Sequence, residues 1–150
     1  FGFVTKRPIS AFNYYNLLLL SPENGGECVS EPAQRALVDF CMGEARGIGY
    51  VYNEPLSDPV PISIRRTDSR DFCHWLRALS LVSQFKGWDA YRESIESWVL
   101  AQRDGDGLWE LPRKPDRFDF PLSDSWRARK SRVIDSTIMV MRFLNGTAAF

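Results

Sequence analysis

Apolar residues recur at intervals of three and four along most of this chain, which is the spacing that places them on one face of an α-helix. The pattern predicts four helices between residues 31 and 146. The first begins after Ser30, a residue type that commonly caps a helix, with Glu31 and Pro32 in its first turn. Its inward positions are predicted to be Ala33, Ala36, Leu37, Phe40 and Cys41.

The next two helices are predicted to form an antiparallel αα-hairpin. The second helix opens at Asp68 or Ser69 and ends at Lys86-Gly87, where glycine can supply the left-handed residue that closes many helices. The third helix starts immediately at Trp88. Because the connection is so short, the two helices are expected to run back along each other. The broad apolar face of the second helix consists of Phe72, Trp75, Leu76, Leu79, Val82 and Phe85.

A fourth helix is predicted from about Ser131 to Leu144, ahead of the helix-stopping pair Asn145-Gly146. The segment before it contains three prolines and is long for an irregular connection, and such loops tend to be functional. The inward positions of this helix are predicted to be Val133, Ile134, Thr137, Ile138, Met141 and Leu144.

No segment shows the sustained alternation of a β-strand, so the sequence predicts an all-α fold. The length of 150 residues suits a single domain spanning residues 1–150. Residues 1–30 are its least legible part, because the apolar run at 17–20 suits either a strand or a buried helix. Residues 31–146 are expected to form the helical hairpins. Since the chain starts at Phe1 rather than Met, we expect a trimmed chain or a piece of a longer parent.

Charge and cysteine content argue against several partner classes. The chain has 19 basic and 19 acidic side chains, so no global field attracts nucleic acid or an anionic membrane. The apolar run at 17–20 is far too short to span a bilayer. Cys28, Cys41 and Cys73 cannot all pair internally and fit no zinc template, which favours a reducing, cytoplasmic compartment. We expect no cofactor and no metal, and the sequence leaves the oligomeric state open.

One part of the sequence resembles a known repeat. Residues 98–102 read WVLAQ and residues 104–109 read DGDGLW, so a helix ends on Gln102 and an aromatic residue, Trp109, follows the break. This arrangement resembles the Gln–Trp repeat of squalene and other terpene cyclases, and the related repeats of protein prenyltransferase β-subunits. The helix over residues 134–144 resembles the inner helix that follows each such turn. The resemblance covers residues 69–146 and implies a segment of an (α/α) toroid, a ring of stacked antiparallel helical hairpins.

The same resemblance implies an enzyme-like cavity between inner helices that holds a bulky apolar, isoprenoid-like substrate. The candidate catalytic residues are then Asp135 and Asp71, and Asp135 would act as a general acid or cation stabiliser if burial raised its pKa. Aromatic side chains would form the wall of the cavity, and residues of the long loop its mouth. The candidate substrate-binding residues are Trp75, Trp109, Trp126, Phe120 and Arg127.

The chain departs from the family pattern at two points. Trp98 stands one residue closer to Gln102 than in the usual repeat. The acidic cluster with which class II terpene cyclases protonate an alkene is absent. Gln102 and Trp109 also suit a purely structural role that pins helix ends together. Likewise, Asp135 suits a residue at a helix start that complements the helix dipole, paired with Arg132 or Arg127.

Two further motifs have both a metal-binding and a structural interpretation. Asp104 and Asp106 suit either the start of a calcium loop or a turn in which carboxylates accept backbone N–H groups. Asp71 and Cys73 have the spacing of two zinc ligands in prenyltransferase β-subunits. His74 adjoins Cys73, but neighbouring helical residues point about 100° apart and do not easily share a metal. The structural interpretation is a helix-start acid and a buried thiol.

Two other functional classes compete with isoprenoid chemistry. A non-catalytic helical-repeat module that binds a protein or peptide is favoured by the missing acidic cluster and the incomplete metal ligand set. A fragment of a carbohydrate-active α/α barrel would need two carboxylates that face each other across a cleft. The sequence therefore does not decide whether the chain is an enzyme, and the expected partner is an apolar small molecule or another protein.

Overall fold

The computed structural model describes residues 13–22, 29–43, 47–59, 69–111 and 126–146. These residues contain five helices and no strand, with two isolated β-bridges. The all-α prediction is therefore confirmed for the described part of the chain. The helices are α1 (Tyr14–Leu20), α2 (Glu31–Gly43), α3 (Ser69–Val82), α4 (Asp89–Ala101) and α5 (Arg129–Leu144).

Helix α1 resolves the part of the sequence that suited both a strand and a helix. Asn13 caps the helix, because its side-chain oxygen accepts a hydrogen bond from the backbone N–H of Asn16 at 3.0 Å. Leu17 is buried, whereas Tyr15 and Leu19 on the same short helix are largely exposed. The apolar run therefore forms about one helical turn on the surface of the core, with Leu17 buried in it.

Helix α2 begins at Glu31 as predicted, but its buried face is rotated from the prediction. Ala33 and Ala36 are exposed, whereas Val38 and Met42 are buried together with the correctly predicted Leu37 and Cys41. The larger side chains gain more from leaving water than the two alanines do. Gln34 is also buried on this face.

The Gln34 amide links α2 to two other parts of the chain. Its nitrogen donates to the carbonyl oxygen of Val29 at 2.9 Å, and its oxygen accepts from the N–H of Lys86 at 3.0 Å. Both polar ends of this buried side chain are thus satisfied, which is what burial of an amide requires.

Helix α3 is the central helix of the described fold. It packs against α1 and α5. Its side chains from residue 72 to residue 82 are buried on nearly all sides, as expected of a helix surrounded by others. Five of the six residues predicted for its apolar face lie within the helix, and all are buried; the sixth lies in the following turn and is buried too. They are Phe72, Trp75, Leu76, Leu79, Val82 and Phe85.

Helix α3 ends at Val82, four residues before the predicted end at Lys86, because the chain continues in turns in which the N–H groups of Gln84 and Phe85 donate to carbonyls three residues earlier. The predicted role of Gly87 as the residue that closes this helix is therefore wrong, and the turn that leads into α4 contains Gly87 instead.

The φ angle of Gly87 is +106°, a left-handed conformation that side chains rarely adopt. A Cβ atom at this position would also lie 3.1 Å from the Cα atom of Arg35 on α2. A side chain at residue 87 would therefore be strained by the backbone conformation and would press against α2 where the chain enters α4.

Helix α5 ends at Leu144 as predicted and begins two residues earlier than predicted, at Arg129. The prediction of its inward face is mostly wrong: Val133 is buried, but Ile134, Ile138 and Met141 are 46%, 36% and 42% exposed. Apolar residues lie on two opposite faces of α5. The buried face is the one on which apolar residues are mixed with polar ones. The buried residues are Arg132, Val133, Asp135, Ser136, Met139, Val140 and Phe143.

Among the described helices, none combines the length and the apolar character that crossing a bilayer requires.

Candidate functional site

The break after α4 is a turn organised by Asp104. One carboxylate oxygen of Asp104 accepts hydrogen bonds from the N–H groups of Asp106 at 3.0 Å and Leu108 at 2.9 Å. The backbone N–H of Asp104 donates to the carbonyl of Leu108 at 2.8 Å, and Gly107 has a φ angle of +78°. The turn interpretation of this motif therefore matches its geometry. The described residues contain no group of three or more side chains that could hold a metal ion.

Trp109 closes the end of α4. Its buried indole N–H donates to the carbonyl oxygen of Val99 at 2.9 Å, and the backbone N–H of Gln102 donates to the same oxygen at 3.1 Å. The carbonyl groups of a final helical turn lack partners within the helix, so the indole satisfies one of them. Gln102 and Trp109 thus meet at one carbonyl, as the structural interpretation expected, but through the backbone of Gln102.

The segment that follows Trp109 lies along α5. The N–H of Trp109 donates to the hydroxyl of Thr137 at 3.2 Å, and the N–H of Leu111 donates to the hydroxyl of Ser136 at 3.2 Å. Ser136 in turn donates to the carbonyl of Arg132 at 2.6 Å. The two hydroxyls replace the partners that these backbone groups would have in a helix or sheet.

Glu110 lies between Trp109 and Leu111 in this segment and forms a buried ion pair with α5. Its carboxylate accepts from Arg132, and both side chains are buried. The second carboxylate oxygen accepts from Arg129 at 2.8 Å, and Arg129 is 67% exposed. Burial by itself raises the pKa of the Glu110 carboxyl, but hydrogen bonds and charges from Arg132 and Arg129 outweigh it and hold the pKa below its usual range.

Arg132 and Asp135 tie α5 to the residue that precedes the helix. One terminal nitrogen of Arg132 donates to the carbonyl of Trp126 at 3.1 Å, while the Nε atom of Arg132 is buried without a hydrogen-bond partner. The Trp126 indole N–H donates to Asp135 at 2.6 Å, and both residues are buried. Trp126 was not predicted from the sequence as a partner of Asp135.

The structure brings some of the candidate residues together and separates others. Trp126 and Asp135 are in direct contact, and Trp109 contacts α5 two residues further along that helix. Trp75 is buried on α3, where its indole donates to the carbonyl of Leu56 at 2.9 Å. Asp71 and Arg127 are exposed, and Phe120 lies outside the described residues.

The predicted alternative of a zinc pair on α3 places its two residues in different environments. Asp71 is exposed in the first turn of the helix, whereas Cys73 is buried. Cys41 on α2 is buried as well, and this burial raises the pKa of its thiol to about 12. Both cysteines therefore occupy the core as small apolar residues, and Cys28 lies outside the described residues.

The ion-pair cluster that Glu110, Arg129 and Arg132 form was not predicted from the sequence. A signal was present, because Arg132 starts a second helical series of core positions that continues through Ser136, Met139 and Phe143. A different and more apolar series at helical spacing runs through Ile134, and it predicts that the opposite face of α5 is buried. The pairing of Arg132 with Glu110 across 22 positions of sequence is what makes its burial possible.

The opposite side of α5 carries an exposed apolar row, which we call the outer stripe: Ile134, Ile138 and Met141. These residues occupy positions i, i+4 and i+7, so they lie above one another on one face. Lys130 precedes Ile134 by four residues, and Arg142 follows Ile138 by four. Both cations are exposed, and they therefore border the stripe at its two ends.

Together these contacts define an all-helical domain in its described part, with one helix, α5, that presents apolar residues on two faces. No protein-family model matches this chain, and no match was found among characterised proteins or among solved structures. The likeness to terpene cyclases and prenyltransferases therefore stays a prediction from the sequence.

Proposed function

We propose that this chain is a non-catalytic helical-repeat module that binds a partner protein through the outer stripe of α5, and that the bound element is an amphipathic helix with acidic flanks. The observation that carries the proposal is the exposure of Ile134, Ile138 and Met141 directly opposite the buried face of the same helix. A helix that is apolar on opposite faces is usually covered on both.

The shape of the stripe favours a helical partner. Its three residues span seven positions, or about 10 Å along the helix axis. A row of side chains at i, i+4 and i+7 fits between the rows of a second helix, and two helices pack in this way at about 8–10 Å between axes. A partner helix with its own apolar row can therefore cover the stripe without any change in α5.

The charge around the stripe favours acidic flanks on that partner. Lys130 and Arg142 border the stripe, and the acidic residue of α5 itself, Asp135, is buried on the opposite face against Trp126. A helix with Glu or Asp beside its apolar row would meet these cations, whereas a basic helix would be repelled.

We also propose that α3, α4 and α5 form a stack of antiparallel hairpins, as in a segment of a toroid. Three contacts support it. The ring of Trp98 near the end of α4 lies 5.4 Å from that of Trp75 at the middle of α3. Trp88 at the start of α4 lies 6.2 Å from Phe143 at the end of α5, and Trp109, bound to the end of α4, contacts the middle of α5.

These contacts favour a binding module over isoprenoid chemistry. The indoles of Trp75, Trp109 and Trp126 are buried and each donates to a protein acceptor. They fill the core, where the isoprenoid interpretation requires them to face a cavity. Asp135 accepts the Trp126 indole, so a substrate would have to displace Trp126 before it could reach this carboxylate.

Ile138→Glu is expected to weaken the binding of an acidic amphipathic peptide. The probe is a fluorescent synthetic helix with leucines at i, i+4 and i+7 and glutamates beside them, and the measurement is fluorescence anisotropy. We expect the wild-type chain to bind, the variant to bind at least about tenfold more weakly, and binding to weaken as salt is raised. A peptide with lysine in place of each glutamate is expected to bind least.

Leu19→Glu on α1 is the matched control, because Leu19 is also an exposed apolar residue on a helix but lies outside the stripe. It should bind the peptide like the wild type. The proposal is wrong if Ile138→Glu and Leu19→Glu have the same effect, or if the lysine peptide binds as well as the glutamate peptide. A wild-type dimer that Ile138→Glu converts to a monomer would assign the stripe to self-association instead.

A further inference from the structure

A second surface, distant in sequence from α5, is built from three tyrosines. The ring of Tyr14 lies 5.7 Å from that of Tyr15, with their planes at 81°. The ring of Tyr15 lies 5.9 Å from that of Tyr50, with their planes at 56°. The three rings therefore form one continuous aromatic wall. This wall, with Val51, His74 and Arg77, lines an open pocket of about 230 Å³.

The backbone places Tyr50 in this wall at an energetic cost. Its φ angle is +74°, in the left-handed region where residues with bulky side chains are strained. The surrounding turn is fixed by hydrogen bonds between Ile48 and Tyr52 and by the N–H of Tyr14, which donates to the carbonyl of Gly49 at 3.0 Å. Packing into the core does not compensate the strain, because Tyr50 is 69% exposed. Strain of this kind concentrates at functional sites.

Helix α3 adds positive charge to the pocket. The guanidinium of Arg77 lies 4.7 Å from the centre of the Tyr14 ring and donates to the Tyr14 hydroxyl at 3.1 and 3.3 Å. His74, one turn before Arg77, also faces the pocket. The residues that line the pocket include no carboxylate. The Arg77 guanidinium, which already occupies one face of the Tyr14 ring, would repel a cationic ligand. It would attract an anionic group instead.

We propose that this pocket binds a single flat ring that carries a phosphate group. The ring would lie against Tyr15 or Tyr50, in the offset or edge-to-face geometry that aromatic rings prefer, and the phosphate would lie toward Arg77 and His74. The space of about 230 Å³ accommodates one ring with its charged group. Such a ligand is available from two sources: a phosphorylated tyrosine side chain of a protein, or a small free aryl phosphate. This site is independent of the outer stripe.

Phenyl phosphate is the probe that tests the proposal, with binding followed by nuclear magnetic resonance of the folded chain. We expect phenyl phosphate to bind, and phenol and inorganic phosphate each to bind at least about tenfold more weakly, because each lacks one of the two recognised groups. A phosphotyrosine peptide and free phosphotyrosine then distinguish the two sources.

Tyr50→Gly is the decisive variant, because glycine adopts a positive φ without strain. The variant should keep or gain thermal stability and lose phenyl phosphate binding by at least about tenfold. The control is Tyr91→Ala on α4, which removes a tyrosine that donates a hydrogen bond to Asp39 outside the pocket. This variant should bind phenyl phosphate like the wild type. The proposal is overturned if phenyl phosphate does not bind, if inorganic phosphate binds equally well, or if Tyr50→Gly binds like the wild type.

Discussion

Glu110→Gln is expected to lower the free energy of unfolding by about 3–5 kcal/mol, because it leaves the buried cation of Arg132 without its counterion. The substitution preserves the shape of the side chain and removes its charge. Arg132 would keep its bond to the carbonyl of Trp126, but its Nε atom already lacks a partner. Denaturant unfolding followed by circular dichroism measures the change.

Arg129→Gln is the matched control for this prediction. Arg129 contacts the same carboxylate, but it is exposed, and exposed ion pairs contribute at most about 1 kcal/mol. Replacing both members of the buried pair, as in Glu110→Leu with Arg132→Met, should cost less than Glu110→Gln alone, since no unpaired charge is then buried. If Arg129→Gln costs as much as Glu110→Gln, the buried pair does not hold α5 in place.

The lowered pKa of Glu110 also makes this stabilisation depend on pH. A carboxyl whose pKa is lower in the folded than in the unfolded chain binds fewer protons when folded, so low pH favours unfolding. The contribution is therefore complete above the ordinary pKa of 4.5 and is lost as the pH falls through the lower folded value. Glu110→Gln should lack this part of the acid-induced loss of stability.

Trp109→Ala is expected to cost about 3–5 kcal/mol, the usual range when a buried tryptophan is truncated to alanine. Trp109→Phe keeps most of the apolar surface and removes the hydrogen bond to Val99, so it should cost about 1–2 kcal/mol. The measurement is again denaturant unfolding.

Gln102→Ala separates the two interpretations of the Gln–Trp pair. The backbone N–H of Gln102 makes the bond to Val99, and alanine retains it. The cost should therefore stay below about 1 kcal/mol, as at a partly exposed position. If Gln102→Ala costs as much as Trp109→Ala, the amide side chain is the structural pin, as in the repeat that the sequence resembles.

The sequence predicted α3 and its turn well because the signal there is local. The large apolar residues of α3, such as Phe72 and Trp75, are all buried, so hydrophobic periodicity predicts the buried face directly. The turn into α4 contains Gly87, whose left-handed conformation few other residues can adopt, although α3 itself ends at Val82 and not at the predicted Lys86. In both cases the information lies within one helix and the turn after it.

The inward face of α5 could not be predicted in the same way. Hydrophobic periodicity favours the face with Ile134 and Ile138, and the chain buries the face with Arg132 and Asp135 instead. That choice depends on Glu110 and Trp126, which satisfy the two buried charged residues from outside the helix. Hydrophobic periodicity counts only apolar residues, so it does not reveal pairs of polar residues that are distant in sequence.

The tyrosine pocket was missed for a similar reason. Tyr14 and Tyr15 lie in the part of the sequence that is least legible, and Tyr50 reaches them only because a strained turn is bonded to the start of α1. No spacing rule joins residues so far apart. The strain at Tyr50 is a property of the backbone and has no signature in the residue types themselves.

The most direct test of the central claim is a titration of methyl-labelled isoleucines with the acidic amphipathic peptide, followed by nuclear magnetic resonance. Isoleucines lie both on the outer stripe and in the core, so one spectrum reports on both. We predict that the methyl signals of Ile134 and Ile138 shift on binding, while those of the buried Ile48 and Ile95 stay in place. Shifts confined to Ile48 and Ile95, or no shift at saturating peptide, would contradict the assignment of α5 as the binding surface.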